Sequence, residues 1–423
     1  MPRRKHQSDS DDKQRKRRRE ESGRERERRA RRRSEDKKRK RHDADERHKD
    51  HKHHRRSPSP DRDARHPSKR PPVKDDRDGH LVWQAGDYIE PSDGQSGSYK
   101  IVRKLGEGTF GKVVEVESKG DKKYALKIVR NISKYREAAE CEIKILKDVL
   151  RLDPEGKSMV IRLTSSFDYH GHACLLFPLL GLSVFDFLKS NDYLPFPMEH
   201  VRHMGRQLTE AVAFLHRNRL THTDLKPENL VLCSSKFRNE RDENGKRRRV
   251  LDNPDVILID LGGATYEDQY HTLVVSTRHY RAPEVVLELG WSYPCDVWSI
   301  GCILFEMYTG ATIFQTHDSR EHLAIMERTL DAPMPEHMAL KSKTKHYKDG
   351  RLDWDANSPD SRYVRDKCHR LRYHMRGHTP DDAHLFELIE LMLKYDPTTR
   401  IRLDDALKHP YFEVKHPQNG SLH

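Results

Sequence analysis

Before Val73 the chain offers only four apolar side chains, Met1, Ala30, Ala44 and Ala64. A segment with nothing to bury cannot repay the entropy of ordering itself, so residues 1–77 are expected to be disordered and every core must come from residues beyond them. The same segment carries the charge. It holds 32 Lys and Arg against 17 Asp and Glu, in a chain of 423 residues whose formal net charge is +13. The remainder is therefore close to neutral. Blocks such as RKRRREE and RERERRARRR suit a solvated tail, or contacts to RNA or an acidic partner through charge, and the 13–41 region suits nuclear import. SPSPDRDARHPSKRPP (57–72) closes the segment as an extended Pro-rich linker.

Several function classes drop out. The six Cys, at 141, 174, 233, 295, 302 and 368, form no Cys-x-x-Cys pair, and the opening MPRRKHQSDSDD is not a secretory signal. Reduced thiols in an intracellular protein are expected. No apolar run reaches the roughly 18 residues of a membrane span, so no membrane association is expected. The His-rich HKDHKHHRR (48–56) has no HExxH helix or Cys/His knuckle to support a metal centre.

From Tyr99 the sequence changes character. YKIVRKLG, KVVEVES and KKYALKIVR are short β-branched runs, which read as three antiparallel strands. Residues 133–152 come next, with a Ser cap and helical spacing, and MVIRLTSSFDYHGHACLLFPLL adds two strands around a His-Gly turn. Helices then dominate, at 197–218, 293–309, 320–330 and 382–395. The expected architecture is α+β and bilobal: a small antiparallel β lobe (99–180), then a larger helical lobe (181–412), with a ligand cleft between them. Residues 78–98 read as an N-terminal extension packing on this domain, and 413–423 as a C-terminal tail.

LGEGTFGKVVEV (105–116) has strand-like sequence on both sides of its glycines. A dinucleotide fold would place them between a strand and a helix, so a hairpin flap over phosphates fits better. Glycine lets backbone N–H groups approach anionic oxygens closely. The candidate flap residues are Leu105, Gly106, Glu107, Gly108, Thr109, Phe110, Gly111, Lys112 and Val113. Lys127, in YALK, lies in an apolar run where it needs an acidic partner. Glu142 is preferred over Glu140 because it follows the apolar spacing toward Ile143 and Leu146.

YALK resembles the strand-borne lysine motif of protein kinases, and HTDLKPEN (222–229) resembles their HRDLKPEN loop. That resemblance implies the bilobal protein-kinase fold and in-line phosphoryl transfer from ATP with Mg2+. It makes Asp224 the base, sets Lys226 on the γ-phosphate, and gives Asn229 and Asp260 to Mg2+. Lys127 and Glu142 would hold the α- and β-phosphates. Thr277 would tie Asp224 and Lys226 into place, Asp296 would anchor the catalytic loop, and Glu284 would pair with Arg400. Around the adenine, Ala125 would line the pocket, Phe177 would gate its back, and Pro178 and Leu180 would supply a carbonyl and an N–H. There are departures. Thr223 replaces an arginine that grips an activation-segment phosphate, Asp260-Leu261-Gly262 replaces Asp-Phe-Gly, and Pro178 stands where Glu is usual.

EHLAIMERTL (321–330) resembles the EHLAMMERIL box of the LAMMER, or Cdc-like, kinases, differing at Ile325 and Thr329. The resemblance spans about 78–416 and makes 331–380 the family insert. It implies dual specificity, with Tyr autophosphorylation and Ser/Thr phosphorylation of Arg/Ser-rich splicing factors, regulation of pre-mRNA splicing, and a nuclear protein. Glu228 is the carboxylate that can be placed beside such a substrate. Ser57 and Ser59 are expected sites of self-phosphorylation, activity without activation-segment phosphorylation is expected from Thr223, and a monomer is expected. The competing readings are a nucleic-acid-binding scaffold on a degenerate kinase fold and a small-molecule kinase. The first is disfavoured by Lys127, Asp224 and Asp260, the second by YRAPE (280–284) and Thr277.

Overall fold

The computed structural model describes residues 74–92, 97–241, 245, 247–359 and 361–413. The tail expected for 1–73, its His-rich stretch, Ser57 and Ser59, and residues 414–423 lie outside these. Residues 74–77, read with the tail, are held instead. Asp75 bridges to Leu81, its carboxylate accepts from Asn131 Nδ2 at 3.0 Å, and it lies 2.9 Å from Nε2 of the buried His172. Their order comes from polar partners, which an absence of apolar residues does not reveal.

Six strands make one antiparallel sheet: β1 (Tyr88–Ile89), β2 (Tyr99–Gly108), β3 (Gly111–Ser118), β4 (Lys123–Val129), β5 (Ser165–Tyr169) and β6 (His172–Pro178), in the order β1-β2-β3-β4-β6-β5. Strand alternation sorts the side chains. Val114, Val116, Leu126, Ile128, Cys174 and Leu176 share a small core on one face. Lys127 and Leu175 must point the other way, toward helix α1 (Ser133–Leu152). His170 and Gly171, both at positive φ (50° and 89°), form the two-residue turn between β5 and β6. Ser133 does not cap α1. The N-cap is Ile132, whose backbone carbonyl takes the first turn's N–H groups from Tyr135 and Arg136.

The second lobe holds α2 (Val184–Ser190), α3 (Met198–Arg217), α4 (Pro283–Val286), α5 (Pro294–Thr309), α6 (Ser319–Leu330), α7 (Glu336–Lys341), α8 (Arg362–Lys367), α9 (Pro380–Met392), α10 (Leu403–Ala406) and α11 (Pro410–Glu413). Helix α5 is buried from Cys295 to Tyr308 and forms the lobe's spine, with Trp298, Phe305 and Tyr308 among its largest enclosed side chains. Helix α9 begins with a Thr379–Asp382 capping box and stops at Met392, short of the expected 395. At its end the Leu391 carbonyl accepts from the Ile401 N–H at 3.3 Å, and Arg400 takes the carbonyls of Lys394 and Tyr395.

The second lobe, expected to be mainly helical with VILIDLGG (256–263) as an apolar strand, holds that strand at Val256–Leu258 and others besides. Among the described residues there are four two-stranded ribbons: β7 (Leu220–Thr221) with β12 (Thr265–Tyr266), β8 (Leu230–Leu232) with β11 (Val256–Leu258), β9 (Phe237–Arg241) with β10 (Arg247–Leu251), and β13 (Tyr347–Lys348) with β14 (Arg351–Leu352). Two had a legible signal, since Asn244-Gly245 and Asp349-Gly350 are strong hairpin dipeptides. No helix among the described residues is long and apolar enough to cross a membrane.

Candidate active site

A cleft of about 650 Å³ opens under the β2–β3 flap. Of the expected residues, Leu105, Gly106, Gly108, Phe110, Gly111, Val113, Ala125, Lys127, Glu142, Phe177, Pro178, Leu180, Asn229 and Asp260 line it. The side chains of Glu107, Thr109 and Lys112 do not. Glu107 pairs with Lys104, Lys112 lies 3.7 Å from Asp76, and Thr109 at the tip has its carbonyl 3.3 Å from Arg130 Nη1. Glu107 and Lys112 are opposite each other in the hairpin, next to the cleft-lining pair Gly106 and Val113, so strand alternation turns their side chains to the other face. Gly111 admits nothing larger, because a Cβ there would stand 2.2 Å from the Ile128 carbonyl oxygen.

Lys127 Nζ donates to both carboxylate oxygens of Glu142 at 2.8 Å and to Asp260 Oδ1 at 3.4 Å. Burial works against its charge, but the two carboxylates outweigh it and hold the ammonium above the ordinary lysine range. Glu140 instead faces outward, 3.5 Å from Arg136. Asp260, also desolvated, is nonetheless kept below the usual carboxylate range by Lys127 first, with help from His222 and Lys226.

Beside the cleft, Asp224 is gripped from three directions. Lys226 Nζ donates to Oδ2 at 2.6 Å, while the Thr277 N–H and hydroxyl donate to Oδ1 at 2.8 and 2.7 Å. Lys226 also reaches Thr277 Oγ1 at 3.1 Å. Burial raises the Asp224 pKa, yet these bonds leave it lowered overall. Asn229 donates from Nδ2 to the Asp224 carbonyl at 2.9 Å, which turns its amide oxygen away from the loop. That oxygen and the Asp260 carboxylate are hard oxygen donors, a set that fits Mg2+. They would hold the metal, which when bound would neutralise charge on the phosphates.

The loop itself is strained and fastened. Thr223, a β-branched residue, sits at φ 72°, Asp260 at 65° and Ser276 at 67°. Such conformations cost on the order of 1–3 kcal/mol each and persist only where neighbours over-determine them. Buried Asp296 accepts the N–H groups of His222 and Thr223 at 2.8 and 2.9 Å and lies 3.0 Å from His216 Nε2. Thr223 Oγ1 donates to the Gly263 carbonyl at 2.9 Å, and Ser276 Oγ donates to the Thr223 carbonyl at 2.5 Å. Thr223 therefore does more than fill space. It and Ser276 stitch both ends of the activation segment to the catalytic loop without a phosphate.

Sequence reasoning missed Asp186, which lines the cleft, and Glu306 on α5. The signal for Glu306 was available: a lone acid within the apolar run CILFEMY demands a polar role.

The model of the protein kinase domain matches residues 99–412. The chain is 53% identical over 353 residues to the probable dual specificity protein kinase madd-3 of Caenorhabditis elegans, covering 83% of this chain and 39% of that protein. It is 51% identical over 344 residues to the human dual specificity protein kinase CLK2, covering 80% and 68%. With the serine/threonine-protein kinase Doa of Drosophila melanogaster it shares 50% identity over 358 residues, 83% of this chain and 42% of that one. The match thus spans well under half of the nematode and fly proteins. A crystal structure of a kinase domain superposes with a TM-score of 0.71 at 34% identity, covering 80% of this chain and all of that one. Flap, paired lysine, catalytic loop and these similarities converge, and the chain belongs to the protein kinases, in their LAMMER or Cdc-like family.

Proposed function

We propose that this kinase is dual-specific, phosphorylating Ser and Thr in Arg/Ser-rich splicing factors and Tyr in itself, and so regulates pre-mRNA splicing in the nucleus. The observation that supports this substrate class is a set of carboxylates, Asp186, Glu228 and Glu306, with no ion pair among the described residues. Asp186 and Glu228 line the cleft, and one Glu228 carboxylate oxygen is buried with no hydrogen-bond partner among the described residues. Glu306 accepts from the Tyr280 hydroxyl at 2.8 Å. Burial above all, with the charge of Glu228 adding to it, raises Glu306 to about 7 despite that hydrogen bond. A guanidinium, with five fixed donors, is the side chain that would satisfy such a site. Transfer of radiolabel to an Arg/Ser peptide, with Asp224→Asn as control, tests the reading. No transfer by the wild type would sink it.

Two expectations arise at this site. Glu306 attracts an arginine only when ionised, so kcat/KM for the Arg/Ser peptide is expected to fall as pH drops through about 7. Glu306→Gln should abolish that step, and a peptide with Ala for Arg should never show it. Activity is also expected to survive phosphatase treatment of the purified enzyme, because Thr223 and Ser276 fasten the segment themselves. Complete loss on dephosphorylation would contradict this. Residues 1–77 are read as the nuclear-import and docking segment, meeting RNA or acidic partners through charge, with Ser57 or Ser59 as self-phosphorylation sites. A chain lacking 1–77 that still enters the nucleus and phosphorylates splicing factors normally would remove that role.

A further inference from the structure

The β9–β10 hairpin is a basic island on a domain that is otherwise slightly acidic. Residues 236–249 carry seven Lys and Arg against three Asp and Glu. The register divides the arginines between two faces. Arg248 lies opposite Glu240, which also takes Arg238, so both arginines of that face already share a carboxylate. On the other face Arg241 lies opposite Arg247, and Arg249 opposite Asn239. Among the described residues no carboxylate pairs with Arg241, Arg247 or Arg249. Like charges directly opposed across a ladder destabilise it, so this pairing costs the hairpin stability.

The surface is nonetheless built to be rigid. Val250 and Leu251 are buried, and Asn191 clamps the Arg249 backbone from both sides, accepting from its N–H at 2.9 Å and donating to its carbonyl at 3.0 Å. The Arg249 guanidinium lies 4.8 Å over the Phe237 ring, which in turn meets the buried Phe187 edge-on at 6.4 Å. Arg241 and Arg247 are exposed, and Arg241 donates to the Gly245 carbonyl at 2.8 Å.

We propose that this face binds the phosphorylated Arg/Ser-repeat product of the kinase, a reading that rests on the substrate class proposed above. Three points favour that occupant. The patch calls for an anion. Two opposed guanidiniums suit a dianionic phosphomonoester, whereas a nucleic-acid phosphate carries a single charge. Spacing agrees as well: Arg247 and Arg249 recur every second residue on one strand, about 6.8 Å apart, and phosphoserines in an extended Arg-Ser repeat recur at that same interval. The surface would hold a partly phosphorylated chain on the enzyme while further serines reach the cleft.

The test uses the full chain and its R241Q/R247Q/R249Q variant, none of these residues belonging to the active site. Anisotropy is read with a synthetic fully phosphorylated Arg-Ser repeat peptide, its unphosphorylated form and a single-stranded RNA oligonucleotide. The variant should bind the phosphopeptide about tenfold more weakly, as loss of several charge-assisted contacts implies. Its affinity for the unphosphorylated peptide and its kcat/KM for a short peptide should be unchanged. R247Q alone should show a smaller loss in the same direction. Residues 1–77 are identical in both proteins, so any difference belongs to the hairpin. Unchanged phosphopeptide affinity overturns the proposal, and so does an equal or larger loss for RNA. Because the phosphopeptide is synthetic, hairpin-dependent binding alongside failed radiolabel transfer would retain the surface and reject the substrate assignment.

Discussion

Asp224→Asn is expected to lower kcat by about 10²–10⁴-fold, the range a positioned general base contributes. The carboxylate receives three hydrogen bonds from Lys226 and Thr277, which fix its plane before any substrate arrives. Those bonds also lower its pKa, so it stays ionised and available throughout the neutral range. Asparagine has the same shape and can still accept from Thr277 through its one remaining oxygen. It cannot accept the hydroxyl proton of a substrate, and Lys226 loses its ionic partner. The nucleotide-facing groups Lys127, Glu142 and Asp260 form a separate network, tied together at 2.8–3.4 Å. KM for ATP should therefore change little while kcat collapses, and steady-state kinetics at saturating ATP separates the two. A loss smaller than about tenfold would mean that Asp224 positions substrate rather than taking its proton.

The chemistry-bearing residues were legible because phosphate and proton handling admit few side chains at short spacing. Asp224, Lys226 and Asn229 lie within HTDLKPEN, and the loop's backbone alone brings them together. Lys127 and Glu142 were harder, being fifteen residues apart on different elements, yet strand alternation and helical spacing point each at the other. What escaped depends on tertiary neighbours. Glu306 gains its importance from Glu228 and Tyr280, neither of which is near it in sequence. The loss of an arginine at 223 is visible in the sequence, but the bond from Thr223 to Gly263 exists only once the activation segment folds back. Helix ends failed for the same reason: at the end of α9 the Leu391 carbonyl accepts from Ile401, ten residues on, instead of from the next helical turn.

That arginine carries the largest expected effect on stability. Arg400 and Glu284 have side chains 0% and 2% exposed. All five N–H donors of the guanidinium are used: two on Glu284 at 2.7 and 2.9 Å, and three on the carbonyls of Pro294, Lys394 and Tyr395 at 2.7–2.9 Å. Its planar fork also lies 5.3 Å over the Trp298 ring. Removing one member of such a buried pair strands the other charge, so Arg400→Leu is expected to cost about 3–5 kcal/mol. Lysine should not rescue it. An ammonium keeps the charge but offers three donors from a single point, and cannot span Glu284 and three carbonyls together. The double replacement Glu284→Leu with Arg400→Leu removes both charges and should recover part of the loss. Recovery should be incomplete, because the carbonyls of Pro294, Lys394 and Tyr395 lose their guanidinium donor, a hydrogen bond to a charged group being worth about 1.5–3 kcal/mol. Urea unfolding of the four proteins measures the cycle. If Arg400→Leu alone lost less than about 1 kcal/mol, the pair would be a bystander rather than the lock that seats the activation segment on α5.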